Sequence, residues 1–261
     1  KAPTGGSVEV ATVAPDPASP VVPKPTATAL SSVPPVTLKP MASPSVPAAS
    51  GRLGVNPVPV TEPGRFDLLS LVDLNQDVLS GGWKVDGSAV VSSAKEASLL
   101  EVPTALPKAY QLTLVVRRSP GSESNKGLYL GLPVAGQRVD AGIDVEGGRT
   151  SGLGGIEGGY VKDANNPTRI IAERSQLDGP GLKTIVCTVQ PPRIQVTLDD
   201  KPLLDFAEPA LFHSRIISRL YDSLSLSAET ALRIERLELK PLDDTQAWQP
   251  RVNRTPFFAP V

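Results

Sequence analysis

The stretch KTIVCTVQPPRIQVTLDDKPLLDF, residues 183–206, decides the fold of this chain. Apolar residues occupy alternate positions on both sides of Pro191-Pro192, and a second turn signal follows at Asp200-Lys201-Pro202. A period of two is typical of strands with one buried face, and Pro and Asp are typical of the turns between them. The stretch therefore predicts a β-meander. The alternating apolar positions are Ile185, Cys187, Val189, Ile194, Val196 and Leu198.

Short apolar runs with turn signals between them continue through most of residues 65–242. Tyr110–Arg117 is a long alternating run that predicts a central strand, and the Asp86-Gly87 pair predicts a hairpin turn. We expect Trp83 and Cys187 to be buried in the core. Roughly a dozen short strands with scarcely any helix predict an all-β domain, an antiparallel β-sandwich of jelly-roll type.

Residues 1–64 have a different composition. They hold 14 of the 28 prolines, and the first aromatic residue is Phe66. Such a segment lacks the apolar surface to offset the entropy of ordering it, so we predict a disordered Pro/Ala/Ser/Thr-rich tether. We expect it to connect the domain at 65–242 to an upstream domain or membrane anchor, in an extracytoplasmic location. The tail at 243–261 either folds back over a sheet edge or stays loose.

The charge and cysteine content exclude several classes of function. The formal net charge is −1 and the basic residues are dispersed, which argues against nucleic acid as a partner. A single cysteine excludes an internal disulfide framework and zinc clusters with several cysteines. We expect a monomeric domain with no cofactor.

Several phrases of the sequence carry a resemblance to a known family. They are residues 69–73 (LSLVD), Gly82-Trp83, residues 106–107 with 110–112, residues 147–153 (GGRTSGL), residues 184–189 (TIVCTV) and residues 233–242 (RIERLELKPL). With them, residues 68–242 resemble the concanavalin A-like lectin/glucanase jelly rolls of planctomycete type, and are similar to LamG-like and 3-keto-disaccharide hydrolase-like domains. The resemblance implies the jelly-roll fold, with either carbohydrate binding or glycoside cleavage.

The same resemblance suggests a catalytic motif. Glycosidases of this fold carry Glu-x-Asp-x-Glu on one strand, with all three carboxylates on one face. Asp144 and Glu146 match the second and third positions, but Gly142 stands at the position of the nucleophile. Asp144 and Glu146 are therefore weak catalytic candidates on a solvated or ligand-facing strand face. An inverting or otherwise different mechanism that uses Asp140, Asp144, Glu157 or Asp163 stays open. The single His213 is expected in an exposed loop.

A binding site is expected around the glycine-rich residues 147–168, which hold seven glycines between Gly147 and Gly159. Glycine permits close backbone approach, and loops of this kind often carry function. Aromatic rings would stack on a sugar while polar groups bond its hydroxyls. The ligand-binding candidates are Tyr129, Asp144, Arg149, Tyr160 and Asn165. A calcium ion is a further option, with oxygen ligands from Asp144, Glu146, Asp163, Asn165 and Asn166.

Three hypotheses for the function follow. The first is a tethered module that binds a carbohydrate or another cell-surface ligand without transforming it. The second is a glycoside-cleaving enzyme of the same fold, which clustered carboxylates facing one cleft would favour. The third is a protein-interaction module attached to a signalling protein such as a Ser/Thr kinase. A groove with neither clustered carboxylates nor an exposed aromatic residue, together with an apolar exposed patch, would favour it.

Overall fold

The structure is a computed structural model that describes residues 64–254, apart from 94, 123–124, 209, 215, 217 and 244–247. All but the last residue of the predicted tether therefore lies outside the described residues. In the described part of the chain, no helix has the length and apolar character needed to cross a membrane.

The described residues form fifteen strands, a single 3₁₀ turn at Leu69–Leu71 and one short helix, α1, at Leu74–Asp77. The strands are β1 (Phe66–Asp67), β2 (Val78–Ser80), β3 (Trp83–Asp86), β4 (Ala89–Ser92), β5 (Ser98–Ala105), β6 (Tyr110–Arg118), β7 (Leu128–Val134), β8 (Gln137–Val145), β9 (Thr150–Gly154), β10 (Ile170–Ile171), β11 (Lys183–Gln190), β12 (Arg193–Leu198), β13 (Lys201–Phe206), β14 (Ser223–Ala228) and β15 (Leu232–Pro241).

These strands form two antiparallel sheets. The meander sheet has the order β13-β12-β11-β6-β15-β4-β3, with β1 beside β15, and the cleft sheet has the order β10-β9-β8-β7-β14-β5-β2. One continuous apolar core draws leucines, valines and isoleucines from both sheets, and Trp83 packs against it. The predicted antiparallel β-sandwich is thereby confirmed.

Residues 183–206 form the predicted meander as β11, β12 and β13, at one end of their sheet rather than at its centre. The turn between β12 and β13 holds Asp199 and Asp200 at positive φ, a conformation that Asp tolerates better than most residues. Cys187 is fully buried, as expected. The central strand of the sheet is β6, as its long alternating pattern predicted.

Three segments around the cleft sheet depart from simple alternation. Strand β5 continues through Pro103 to Ala105, because the proline lies where the register between β5 and β14 shifts. Residues 150–154, inside the glycine-rich stretch, form β9, and its neighbour β10 has only two residues. The described residues of 207–222 form no helix.

The described part of the tail folds back onto the sandwich, which is one of the two expected alternatives. The ring of Trp248 meets that of Phe66 edge-on at 5.2 Å. The backbone N–H of Asn253 donates to the carbonyl of Pro103 at 2.7 Å, and Arg254 forms an ion pair with the buried Asp77 at 2.8 Å. The tail therefore contacts β5 and the short helix that precedes β2.

Candidate functional site

The outer face of the cleft sheet is built from polar and small residues. On β7, β8 and β14, leucines, valines, isoleucine and alanine point into the core at every second position. The positions between them point away from the core. On these three strands they are Tyr129, Gly131, Pro133, Arg138, Asp140, Gly142, Ser223, Ser225 and Ser227.

The strand register arranges these positions in two rows across the sheet. Tyr129 pairs with Gly142 on one side and with Ser227 on the other, and Ser227 pairs with Leu99. The neighbouring row joins positions of a more polar kind, namely Gly154, Asp140, Gly131, Ser225 and Glu101. Two parallel rows of different chemistry therefore cross the same face.

The polar row is covered by the crossing loop, defined as residues 207–222. Glu101 accepts hydrogen bonds from the backbone of Leu220 at 3.0 Å and from the hydroxyl of Ser218, and its other oxygen lies 3.3 Å from Nε of Arg219. Asp140 accepts from the hydroxyl of Ser214. These bonds attach the loop to the sheet and bury both carboxylates.

Arg138 completes this attachment. It is 2% exposed, and its guanidinium donates to the carbonyls of Ser223 at 2.8 Å and Leu220 at 3.3 Å and to the hydroxyl of Ser225. Burial lowers the pKa of Arg138, against the effect of the Asp140 and Glu101 charges. A Cβ on Gly131 would lie 2.5 Å from this guanidinium, so only glycine fits opposite it.

The row of Tyr129 stays open and forms a cleft of about 380 Å³, which we call the tyrosine cleft. Sheet positions form its floor, and residues from the glycine-rich stretch, the crossing loop and the turn after β14 form its walls. Its lining is Ser80, Ala97, Leu99, Tyr129, Asp140, Glu146, Gly154, Gly155, Gly159, Tyr160, Val161, Ile216, Ser227 and Glu229.

Tyr129 forms part of the floor because its cross-strand partner is a glycine. A Cβ on Gly142 would lie 3.0 Å from the Tyr129 ring, so the ring occupies the space above that residue. Burial and the charges of Glu229, Glu146 and Asp140 hold the pKa of Tyr129 well above its usual range. The phenol therefore stays protonated and available as a hydrogen-bond donor.

Tyr160 stands at the wall of the cleft and is 44% exposed. The ammonium of Lys162 lies 5.2 Å from the centre of its ring and 3.8 Å from Oε1 of Glu146. A cation at this distance from a ring face is attracted by the ring quadrupole. An aromatic ring, a carboxylate and an ammonium thus meet at the wall.

Asp144 is not part of this cleft, which corrects the expectation that it shares a ligand-facing strand face with Glu146. The residue has a φ of +54°, and the register between β8 and β9 shifts between Gly142 and Val145, so the alternation breaks. Its carboxylate is buried and accepts from the hydroxyl of Ser175 at 2.7 Å and the N–H of Leu177 at 2.6 Å. Burial raises its pKa despite these bonds.

Sequence reasoning missed Glu229, which lies in the turn between β14 and β15. It lines the cleft together with Glu146 and Tyr129. Burial raises the pKa of Glu229, and the charge of Glu146 raises it further, while Lys126 acts in the opposite direction. The available signal was the Ser223, Ser225, Ser227 pattern, because the next position in this period of two is 229.

The remaining binding candidates lie elsewhere. Arg149 and Asn165 are exposed and do not line the tyrosine cleft. Asn166 holds the glycine-rich stretch together, since its amide donates to the carbonyls of Leu153 at 2.7 Å and Tyr160 at 2.9 Å. Of the five binding candidates, the fold therefore brings together Tyr129 and Tyr160.

The calcium option involved three acidic side chains and two asparagines. Among residues 64–254 as described, no group of three or more His, Cys, Asp or Glu side chains is arranged to hold a metal ion. Oδ2 of Asp144 accepts from Ser175 and Leu177, and Asp163 accepts from the N–H of Tyr160 at 2.6 Å. His213 is exposed, as expected for a loop histidine.

Two further clefts lie away from the tyrosine cleft. One, of about 740 Å³, is lined by Pro107, Pro133, Pro191 and the exposed Tyr221, among others. The other, of about 470 Å³, lies beside β13 and is lined by Arg174, Asp178 and Lys201, among others. Neither combines two aromatic rings with carboxylates.

No family model matches the chain, and no curated protein matches its sequence. Among solved structures, it is similar to the carbohydrate binding module CBM66 from Bacillus subtilis, with 10% identity and a TM-score of 0.41, over 64% of this chain and 97% of that one. The exoplasmic/lumenal domain of VIP36, in its Ca²⁺/Man3GlcNAc-bound form, has 12% identity and a TM-score of 0.44, and the match covers 67% of this chain and 91% of that one. A carbohydrate esterase from the Shiga toxin-encoding bacteriophage phi24B has 13% identity and a TM-score of 0.43, and the match covers 64% of this chain and 89% of that one. At these identities and scores, the likenesses assign no ligand or activity to this chain.

Proposed function

We propose that this chain binds a carbohydrate in the tyrosine cleft. The observation that carries the proposal is that Tyr129 and Tyr160 line one cleft together with three carboxylates, Asp140, Glu146 and Glu229. Pyranose rings present C–H faces that pack on aromatic rings and hydroxyls that donate to carboxylates. A cleft that offers both kinds of group suits a sugar better than it suits an apolar ligand.

Each part of the cleft has a distinct role in this proposal. Tyr129 supplies a fixed floor, because Gly142 leaves space for its ring. Tyr160 supplies a more exposed wall. The Ser227 hydroxyl and the carboxylates of Glu146 and Glu229 supply acceptors for sugar hydroxyls, and the protonated Tyr129 phenol supplies a donor.

The test is a glycan screen of the full chain, followed by titration of the best ligand into Tyr160→Ala and Tyr221→Ala variants. Both tyrosines are exposed, but Tyr221 lines the proline-rich cleft instead. We expect Tyr160→Ala to weaken binding by about tenfold, as loss of one aromatic contact of about 1.4 kcal/mol would. Tyr221→Ala should bind like the unchanged chain. An equal loss of glycan affinity in both variants, or binding to no glycan at all, would overturn the proposal.

A second candidate function is glycoside cleavage in the same cleft, and the environment of Glu229 favours it. Glu229 has a raised pKa and lies near the more exposed Glu146. In glycosidases, a carboxyl group with a raised pKa acts as the general acid beside a partner carboxylate that stays ionised. Glu229 would protonate the leaving oxygen while Glu146 takes a proton from the attacking water. The screened glycans, assayed for newly released reducing ends, separate binding alone from cleavage.

A further inference from the structure

The charged side chains that line the tyrosine cleft have one sign, while Lys162 and Lys126 act on them from outside the lining. Among the described residues that line it, every charged side chain is a carboxylate, namely Asp140, Glu146 and Glu229. These groups also affect one another, because the charge of Glu146 raises the pKa of Glu229, and all three charges raise that of Tyr129. A positive group in the cleft would relieve this repulsion, whereas a negative group would add to it.

The chain itself shows that an ammonium is accepted at this wall. The Nζ atom of Lys162 lies 3.8 Å from Oε1 of Glu146 and 5.2 Å from the centre of the Tyr160 ring. Lys162 reaches this position from the outside, since its side chain is about half exposed and it does not line the cleft. A carboxylate and a ring face together make a favourable environment for an ammonium group.

Glu229 offers a second carboxylate on another element. It follows β14, whereas Glu146 follows β8, and both line the cleft beside Tyr129. A sugar that lies against the tyrosines can therefore present a substituent to either carboxylate. An acetamide in that place would carry no charge, and a sugar carboxylate would be repelled.

We propose that the tyrosine cleft prefers saccharides with a protonated amine, such as 2-amino-2-deoxyglucose units, over their N-acetylated and carboxylated counterparts. This inference rests on the proposed function and names the ligand class of the same site. The recognition is a charge-assisted hydrogen bond from the sugar ammonium to Glu229 or Glu146, next to the Tyr160 ring.

The test uses calorimetric titration of the full chain with a glucosamine tetramer, an N-acetylglucosamine tetramer and a galacturonate tetramer, at a pH where the amine is protonated. We expect the glucosamine tetramer to bind at least about tenfold more tightly than the acetylated one, as a charge-assisted hydrogen bond would give. Galacturonate should bind weakest. Glu229→Gln and Glu146→Gln should each reduce this preference. Glu173→Gln, an exposed position outside the cleft, is the matched control and should leave the preference unchanged.

The outcomes separate this inference from the proposed function. Equal binding of the glucosamine and N-acetylglucosamine tetramers would overturn the amine preference while it supports carbohydrate binding. A preference that survives in both Gln variants would place the amine elsewhere and also overturn the inference. Spermidine binding as tight as that of the glucosamine tetramer would overturn the inference, because the cleft would then recognise an amine without a sugar. No binding of any ligand would overturn both proposals.

Discussion

The outer faces of the two sheets differ in the groups that pair with their arginine side chains. On the meander sheet, Arg193 and Asp205 form a bidentate pair at 2.8 and 2.5 Å with both side chains about half exposed. On the cleft sheet, Arg138 is buried and its partners are carbonyls and a serine hydroxyl of β14 and the crossing loop. Water solvates the first face, and the chain itself covers much of the second.

This difference bears on how the tyrosine cleft forms. The exposed ion pair on the meander sheet is solvated and contributes little to stability. Buried charges need hydrogen-bond or ion-pair partners. On the cleft sheet, Glu101 and Asp140 find theirs in the crossing loop, and these bonds hold the loop beside the row of Tyr129. The tyrosine cleft lies along the row of Tyr129, with Asp140 and Gly154 of the neighbouring row and Ile216 of the crossing loop in its lining.

The strongest way to test the comparison is to remove one arginine from each face. Arg138→Met should lower the free energy of unfolding by about 3–5 kcal/mol, because it leaves the buried carbonyls of Ser223 and Leu220 without this donor and removes the positive charge near Asp140 and Glu101. Urea denaturation measures the effect. Arg193→Met is the matched control and should leave the denaturation midpoint nearly unchanged, since that pair is exposed. Equal midpoint shifts in the two variants would contradict the contrast between the faces.

A smaller effect is expected at the glycine below the tyrosine ring. Gly142→Ala places a Cβ 3.0 Å from the Tyr129 ring and should cost about 1–3 kcal/mol of stability, as overpacking does. It should also weaken glycan binding, because the floor of the cleft moves. Gly181→Ala is the control, since a Cβ there would meet nothing within 4 Å. Unchanged binding in Gly142→Ala would argue against Tyr129 as the floor.

The smallest effect concerns pH. Burial and the Glu146 charge raise the pKa of Glu229 above its ordinary value of 4.5, so the folded state disfavours the charged carboxylate. The stability that the protonated group contributes is fully present below pH 4.5 and is lost as the pH rises through the higher folded value.

The Glu229→Gln variant should therefore match the unchanged chain at low pH and become the more stable of the two as the pH rises. Urea midpoints measured across this range for both proteins give the difference directly. The exposed Glu173→Gln is the control and should show no such divergence. A constant difference between Glu229→Gln and the unchanged chain at every pH would contradict the assignment.

Much of the fold was predictable because its signals are local. The period of two in β11, β12 and β6, and the turn residues between the strands, predicted the meander and the central strand. In β15 the register shifts between Ile234 and Arg236, where the apolar residues of the sequence leave strict alternation. These features depend on residues within one or two strands.

The site was predictable only in part, because it depends on register and on distant contacts. Tyr129, Tyr160 and Glu146 were named as candidates, yet Asp144 points elsewhere because a positive φ reverses the alternation that its sequence suggests. The crossing loop is held by Glu101, more than a hundred residues earlier in the chain, and no local pattern reports such a bond.

The central claim, that the outer face of the cleft sheet binds a carbohydrate, is tested most directly by titrating the best glycan into Tyr160→Ala and Tyr221→Ala. The account predicts about tenfold weaker binding for Tyr160→Ala and unchanged binding for Tyr221→Ala. Full binding by Tyr160→Ala with loss in Tyr221→Ala would contradict it and move the site to the proline-rich cleft.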